Sequence, residues 1–183
     1  MNHGSFALLL ALSLLGVSQA RADAILELGQ LGYATRVPGA WRAQAPSNSY
    51  RLAQFAVPGP SGGADCVFFY FGPGQGGSVD ANIERWQSQF HSADGGPVLP
   101  VVERITLGKM PVTWVELAGN YARSIGMGPA DAASAASADQ IMRVAIIETP
   151  QGNLIIQLYG PRLAVEPQRA AFDAMVGALS RSN

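Results

Sequence analysis

The chain is poor in the residues that most often carry chemistry. Among 183 residues it has one cysteine and two histidines. One cysteine excludes an internal disulfide, and one cysteine with two histidines cannot supply four Cys/His ligands to zinc. Charged residues make up only 14% of the chain and the formal net charge is −1. That balance excludes binding to nucleic acid or to an acidic membrane by bulk electrostatics. No apolar run reaches the roughly 20 residues that a membrane-spanning helix needs. The 48% hydrophobic content excludes a disordered chain, and the length suits one domain.

The longest apolar run is Phe6 to Val17 (FALLLALSLLGV). At about a dozen residues it has the size of a signal-peptide core, and Ala20-Arg21-Ala22 follows as an A-x-A cleavage pattern. The segment before it holds no Lys or Arg, only the amino terminus and His3. The alternative, a buried N-terminal helix, would lack a polar face. We therefore expect residues 1–22 to be a signal peptide and residues 23–183 a single domain, periplasmic or extracellular. No transmembrane segment is expected after cleavage. No cysteine stands at the cleavage site for a lipid anchor. Cleavage leaves His91 as the sole histidine.

Beyond that point the pattern alternates between strand and turn signals. Strands are predicted at Tyr33–Val37, Tyr50–Val57 and Cys66–Phe71. In the second, Tyr50, Leu52 and Gln54 fall on one side and Arg51, Ala53, Phe55 and Val57 on the other. The third (CVFFYF) is almost wholly apolar, as in a central strand covered on both faces. A helix is predicted over Val79–Phe90, capped by Ser78, with Val79, Ile83, Trp86 and Phe90 as its apolar stripe. Val101–Leu107 and Val112–Leu117 read as a hairpin around Gly108-Lys109, with Gly119–Arg123 as an extension. Gly126–Asp139 reads as a surface loop of small residues. Ile141–Glu148 and Leu154–Tyr159 form a second hairpin, followed by a helix over about Val165–Leu179 with Pro167 in its first turn. Strands and helices do not alternate regularly. This order predicts an α+β domain with a mainly antiparallel sheet of about six to seven strands and two packed helices.

Gly72-Pro73-Gly74-Gln75-Gly76-Gly77 satisfies G-x-G-x-x-G between a strand and a helix. A dinucleotide site would further need a parallel strand ending in an acidic residue, which does not follow, and Pro73 removes one donor. No Lys follows the glycines as in a P-loop. A polar-ligand or anion site at this turn would use Gly74, Gly76, Gly77 and Ser78, joined by Asn82 and Arg85 on the next helix. A hydrolase would have to use His91, or paired carboxylates drawn from Asp65, Glu103, Glu116 and Glu148. Cys66 opens an apolar strand and reads as a core thiol. No metal site and no cofactor is expected.

Phe69-Tyr70-Phe71-Gly72 through Ser78-Val79-Asp80-Ala81-Asn82-Ile83-Glu84-Arg85-Trp86 resembles a block in uncharacterised secreted bacterial proteins with an A-N-I-x-R-W helix. Tyr50 to Phe55, Ile147 to Gly152 and Tyr159-Gly160-Pro161 are similar to further blocks of that group. More loosely, Pro38-Gly39-Ala40-Trp41 after an early strand resembles the PsbP-like fold, a sheet sandwiched between helices. That resemblance implies a role in binding other proteins or stabilising assemblies, here an envelope protein partner. The combined expectation is an exported, non-catalytic binding or accessory protein of the cell envelope. When the full chain is expressed in a bacterial host, N-terminal sequencing of the exported product should read from Asp23.

Overall fold

The computed structural model describes residues 22–121 and 137–182. The expected signal peptide therefore lies outside the described residues but for Ala22, as do Ala122, Arg123 and most of the expected Gly126–Asp139 loop. Its last residues, Ser137 to Asp139, begin a strand.

In chain order the strands and helices are β1 (Ala24–Leu28), β2 (Tyr33–Val37), β3 (Arg42–Gln44), β4 (Arg51–Val57), β5 (Ala64–Phe69), α1 (Val79–Gln87), β6 (Phe90–His91), β7 (Val101–Leu107), β8 (Met110–Tyr121), β9 (Ser137–Thr149), β10 (Gly152–Pro161), α2 (Arg162–Val165), α3 (Arg169–Gly177) and β11 (Ser180–Arg181). The main sheet has eight strands in the order β3-β4-β5-β10-β9-β8-β6, with β7 also paired to β8. A second sheet of three strands runs β1-β2-β11. The paired strands are antiparallel throughout. The α+β class and the antiparallel sheet are as expected. The short strands β1, β3, β6 and β11 were not read from the sequence.

The period-two alternation of β9 and β10 divides two cores. Ile141, Ala145, Ile147, Leu154, Ile156 and Leu158 point to one face, the inner one. There they meet Phe172, Met175 and Val176 of α3, and Leu28, Tyr33 and Val37 of the small sheet. Met142, Val144, Ile146 and Ile155 point the other way, toward Ile83 and Trp86 of α1. Both sides of these central strands are therefore covered, but unequally: α1 is one short helix, and Phe69, Phe71 and Tyr159 beside it stay half-buried.

Local chemistry sets the helix limits. The Ser78 hydroxyl accepts a hydrogen bond from the Ala81 amide at 3.1 Å, capping α1. The helix ends at Gln87 rather than Phe90. Gln89 N–H donates to the Trp86 carbonyl, and Phe90 turns out of the helix to pair with Tyr121 as β6. The Phe90 ring still reaches the cluster of Ile83 and Trp86. At the C-terminus the chain turns helical at once after Pro161, and a 3-10 segment, Glu166–Gln168, separates α2 from α3. Pro167 lies in that segment and has no N–H for an α-helical bond.

α3 is tied to the inner face by a charge network. Arg143 of β9 donates to both carboxylate oxygens of Asp173 on α3, at 2.7 and 2.8 Å. It also donates to Glu116 of β8 at 3.0 Å. Arg169 of α3 donates to both oxygens of Glu116. The Arg143 guanidinium lies 4.7 Å from the centre of the Trp114 ring. Burial opposes its charge, but its hydrogen bonds and attraction to Asp173, and then Glu116, outweigh that and hold its pKa above the usual arginine value. The side chains of Arg143 and Glu116 are only 16% and 18% exposed. Replacing Glu116 by Gln leaves two guanidiniums short of a counter-charge. The expected loss is about 1–3 kcal/mol, below the cost of breaking a fully buried pair because solvent borders the network. Urea denaturation should show a lower midpoint for Glu116→Gln and an unchanged one for Glu103→Gln on exposed β7.

Candidate functional site

The glycine-rich turn leads from β5 into α1. Gly72, Gly74, Gly76 and Gly77 all have positive φ, a region that side-chain-bearing residues rarely adopt. At Gly76 space is decisive as well, since a Cβ there would lie 2.8 Å from the Phe71 ring. The turn closes by a hydrogen bond from Gln75 N–H to the Gly72 carbonyl at 3.2 Å.

What the turn directs toward the helix is oxygen. The Asn82 side-chain amide donates to the carbonyls of Gly76 and Ser78, at 2.8 Å each. Asn82 is 1% exposed. Its remaining acceptor, Oδ1, receives a hydrogen bond of 2.6 Å from Arg85. Asn82 is thus a buried clip that ties the turn to the helix on one side and holds Arg85 on the other. The sequence pattern placed it off the apolar stripe and hence on a recognition surface; the demand of two turn carbonyls for a donor draws it inside instead. Of the six residues expected at the turn, Arg85 lines a cleft. Gly74, Gly76, Gly77, Ser78 and Asn82 are not among its described lining residues.

That cleft, of about 320 Å³, opens on the α1 face of the main sheet. Its floor includes Met142, Ile155 and Gln157 of the central strands. Phe69 and Phe71 form one wall, their rings near-parallel at 4° with centres 6.3 Å apart. Trp86, Gln89 and Tyr121 form the opposite side. Two arginines complete the lining. The Arg85 guanidinium lies 5.7 Å from the Trp86 ring centre, and that of Arg51 lies 5.4 Å from the Phe69 ring centre.

Arg51 reaches the cleft through a change of register. Strand alternation would put it with Ala53, Phe55 and Val57, which enter the inner core. Instead Arg51 pairs with Phe69 and Ala53 with Phe68, leaving Leu52 as an extra residue between them. This β-bulge turns Arg51 to the face of Phe69. One of its terminal nitrogens donates to Gln54 at 2.7 Å, and its Nε is buried without an acceptor among the described residues. Nothing in the sequence around Arg51 marks the bulge, so this residue was missed as a site residue.

The catalytic candidates do not converge. His91 sits on β6 opposite Asn120, and its imidazole has no hydrogen bond to a hydroxyl, thiol or carboxylate among the described residues. Cys66 is fully buried in the inner core, where burial, and then the charge of Asp65, push its thiol pKa well up. Such a thiol is a poor nucleophile. Asp65 pairs with Tyr159 and Glu148 with Asn153, so six residues of β10 separate them. That is about 20 Å along the strand, beyond the spacing of paired carboxylates in glycoside hydrolysis. Glu103 shares the inner side of the sheet with Glu116, but both oxygens of Glu116 are engaged by arginine. No group of three or more His, Cys, Asp or Glu converges on a metal position among the described residues.

Substituting Asn82 by Ala should cost about 1–3 kcal/mol, because the Gly76 carbonyl loses its side-chain donor and Arg85 its acceptor, while the Ser78 carbonyl keeps the backbone amide of residue 82. For a domain of this size that is a fall of several degrees in melting temperature, readable by circular dichroism.

No family model and no curated protein matches the chain. Solved structures do. Cyanobacterial PsbP (CyanoP) from Synechocystis sp. PCC 6803 superposes with a TM-score of 0.59 over 92% of this chain and 97% of its own, at 9% identity. A protein of unknown function from Pseudomonas aeruginosa covers 88% of this chain and 99% of its own, with a TM-score of 0.48 and 15% identity. A protein from Bacteroides thetaiotaomicron covers 90% of this chain and 49% of its own, with a TM-score of 0.47 and 10% identity. At such identities the first likeness establishes the fold alone: an α+β domain of PsbP-like architecture. No helix among the described residues is long and apolar enough to cross a membrane.

Proposed function

We propose that this chain is an exported, non-catalytic binding or accessory protein of the cell envelope, and that its binding site is the cleft beside α1. The observation that carries this reading is the composition of the cleft. It joins aromatic walls to two arginines, and its described lining residues include no acid, nucleophile or histidine. Concave sites with apolar walls and a few placed polar groups are the usual form of ligand pockets. The groups a hydrolase would need are elsewhere and apart from one another.

Export is supported by the apolar segment Phe6–Val17 and the A-x-A pattern at Ala20–Ala22. The turn residues Gly74, Gly76, Gly77 and Ser78 belong to the site indirectly. Through Asn82 they fix the first turn of α1 and the position of Arg85. In this proposal the glycine turn supports the site rather than contacting the ligand.

A ligand that prefers the native state must raise its apparent stability. A small-molecule fraction of envelope extract should therefore raise the melting temperature of the wild-type protein. It should leave Gln157→Trp, which fills the cleft floor, unchanged. Turnover of chromogenic ester, glycoside or phosphomonoester substrates that is abolished by His91→Ala or Glu103→Gln would instead establish a hydrolase and overturn the proposal.

A further inference from the structure

We propose that the cleft recognises a small organic anion, a carboxylate or phosphate head group on a flat apolar body of one or two rings. This rests on the reading of the cleft as a binding site and adds the chemistry of what fills it.

The first ground is charge. The chain as a whole carries a formal charge of −1, yet among the described residues the cleft lining holds two guanidiniums and no carboxylate. Arg104, Arg143, Arg162 and Arg169 all pair with acids. Arg51 and Arg85 do not; among the described residues their side chains reach only the amides of Gln54 and Asn82 and the adjacent rings. A hollow on the opposite face, of about 620 Å³, includes Lys109 and Arg181 but also Glu148, so its positive charge is partly offset. Cations left unpaired in a concave, partly dry site focus the field that attracts an anion.

The second ground is an unmet donor. Arg51 Nε is shielded from solvent and lacks an acceptor among the described residues, a state that native structures rarely leave uncompensated. The terminal nitrogens of Arg51, one of them engaged by Gln54, are the donors a ligand can reach, and their planar fork matches a carboxylate or phosphate oxygen. The bulge at Arg51 to Ala53 spends a ladder irregularity on turning this side chain to the cleft rather than letting it follow strand alternation. The Asn82 clip holds the second arginine from the other side.

The third ground is shape. The volume of about 320 Å³ is at the low end for ligand pockets. It admits a head group with one or two rings and not a long chain or a polymer segment. The Phe69 and Phe71 rings and the Trp86 indole offer flat apolar surface next to the cations.

Calorimetric titration of the full protein with 2-naphthoate, 2-naphthyl phosphate and the neutral 2-naphthamide tests this. The three probes share one ring system and differ in the head group. At least one anion should bind on the order of tenfold more tightly than the amide, and the tighter of the two identifies the head group. The double variant Arg51→Gln/Arg85→Gln should reduce anion binding to the level of the amide and leave the amide unchanged. Gln157→Trp should abolish all three. For the wild type, raising sodium chloride from about 0.05 to about 0.5 M should weaken the anions and spare the amide, a measurement that needs no variant. Equal binding of amide and anions, or full anion binding by the double variant, would overturn the anion chemistry while leaving the cleft as a binding site. No binding by any probe, or binding that survives Gln157→Trp, would remove the proposal together with the reading of the cleft beneath it.

Discussion

The architecture depends on a two-sided sheet whose inner side is locked by the contact between Arg143 and the acids around it. One guanidinium bridges β9, β8 and α3 through Glu116 and Asp173. Arg169 closes the group from the helix. With α3 fixed in this way, Phe172, Met175 and Val176 are held against the central strands and beneath the small sheet. Much of the inner side is then packed core, and the cleft proposed as the site lies on the other side, which among the described residues a single nine-residue helix covers only in part.

That partial cover explains why aromatic residues of a central strand remain available. Phe69 has the neighbours of an internal strand, β4 and β10, on either side. Yet α1 stops short of roofing it. The helix cannot extend further, because Phe90 is more useful paired to Tyr121 and packed under Trp86 than continuing the spiral. The cleft is thus a by-product of helix length, and the two arginines at its margins give that by-product chemical character. Neither arginine is placed by the regular geometry of its element alone. Arg85 is held through Asn82 and the glycine turn, Arg51 by an irregularity in β4.

Much of the architecture was legible in the sequence. The two long hairpins and the capped helix followed from alternation, glycine turns and Ser78. The PsbP-like pattern around Pro38 to Trp41 agreed with the fold that the structure shows. Strands of two or three residues such as β3, β6 and β11 are too brief to show a period, and their pairing is imposed by neighbours distant in sequence. The site was less legible for three reasons. CVFFYF reads as doubly buried, and only the length of α1 decides otherwise. Asn82 looks solvated by its place on the helix wheel, but the carbonyls of a turn outside the helix require its amide. Arg51 follows the inner-face pattern of β4 until an extra residue breaks it.

The bulge in β4 also has a genetic meaning. A strand is a two-phase code, in which each residue inserted or removed exchanges every assignment beyond it. Leu52 is the single residue that sets Arg51 out of phase with Ala53, Phe55 and Val57. Were β4 to pair regularly through Leu52, the guanidinium would swing from the cleft side into the hydrocarbon interior. The position is therefore guarded twice over, since the same loss of the bulge that emptied the cleft of a cation would also imperil the core.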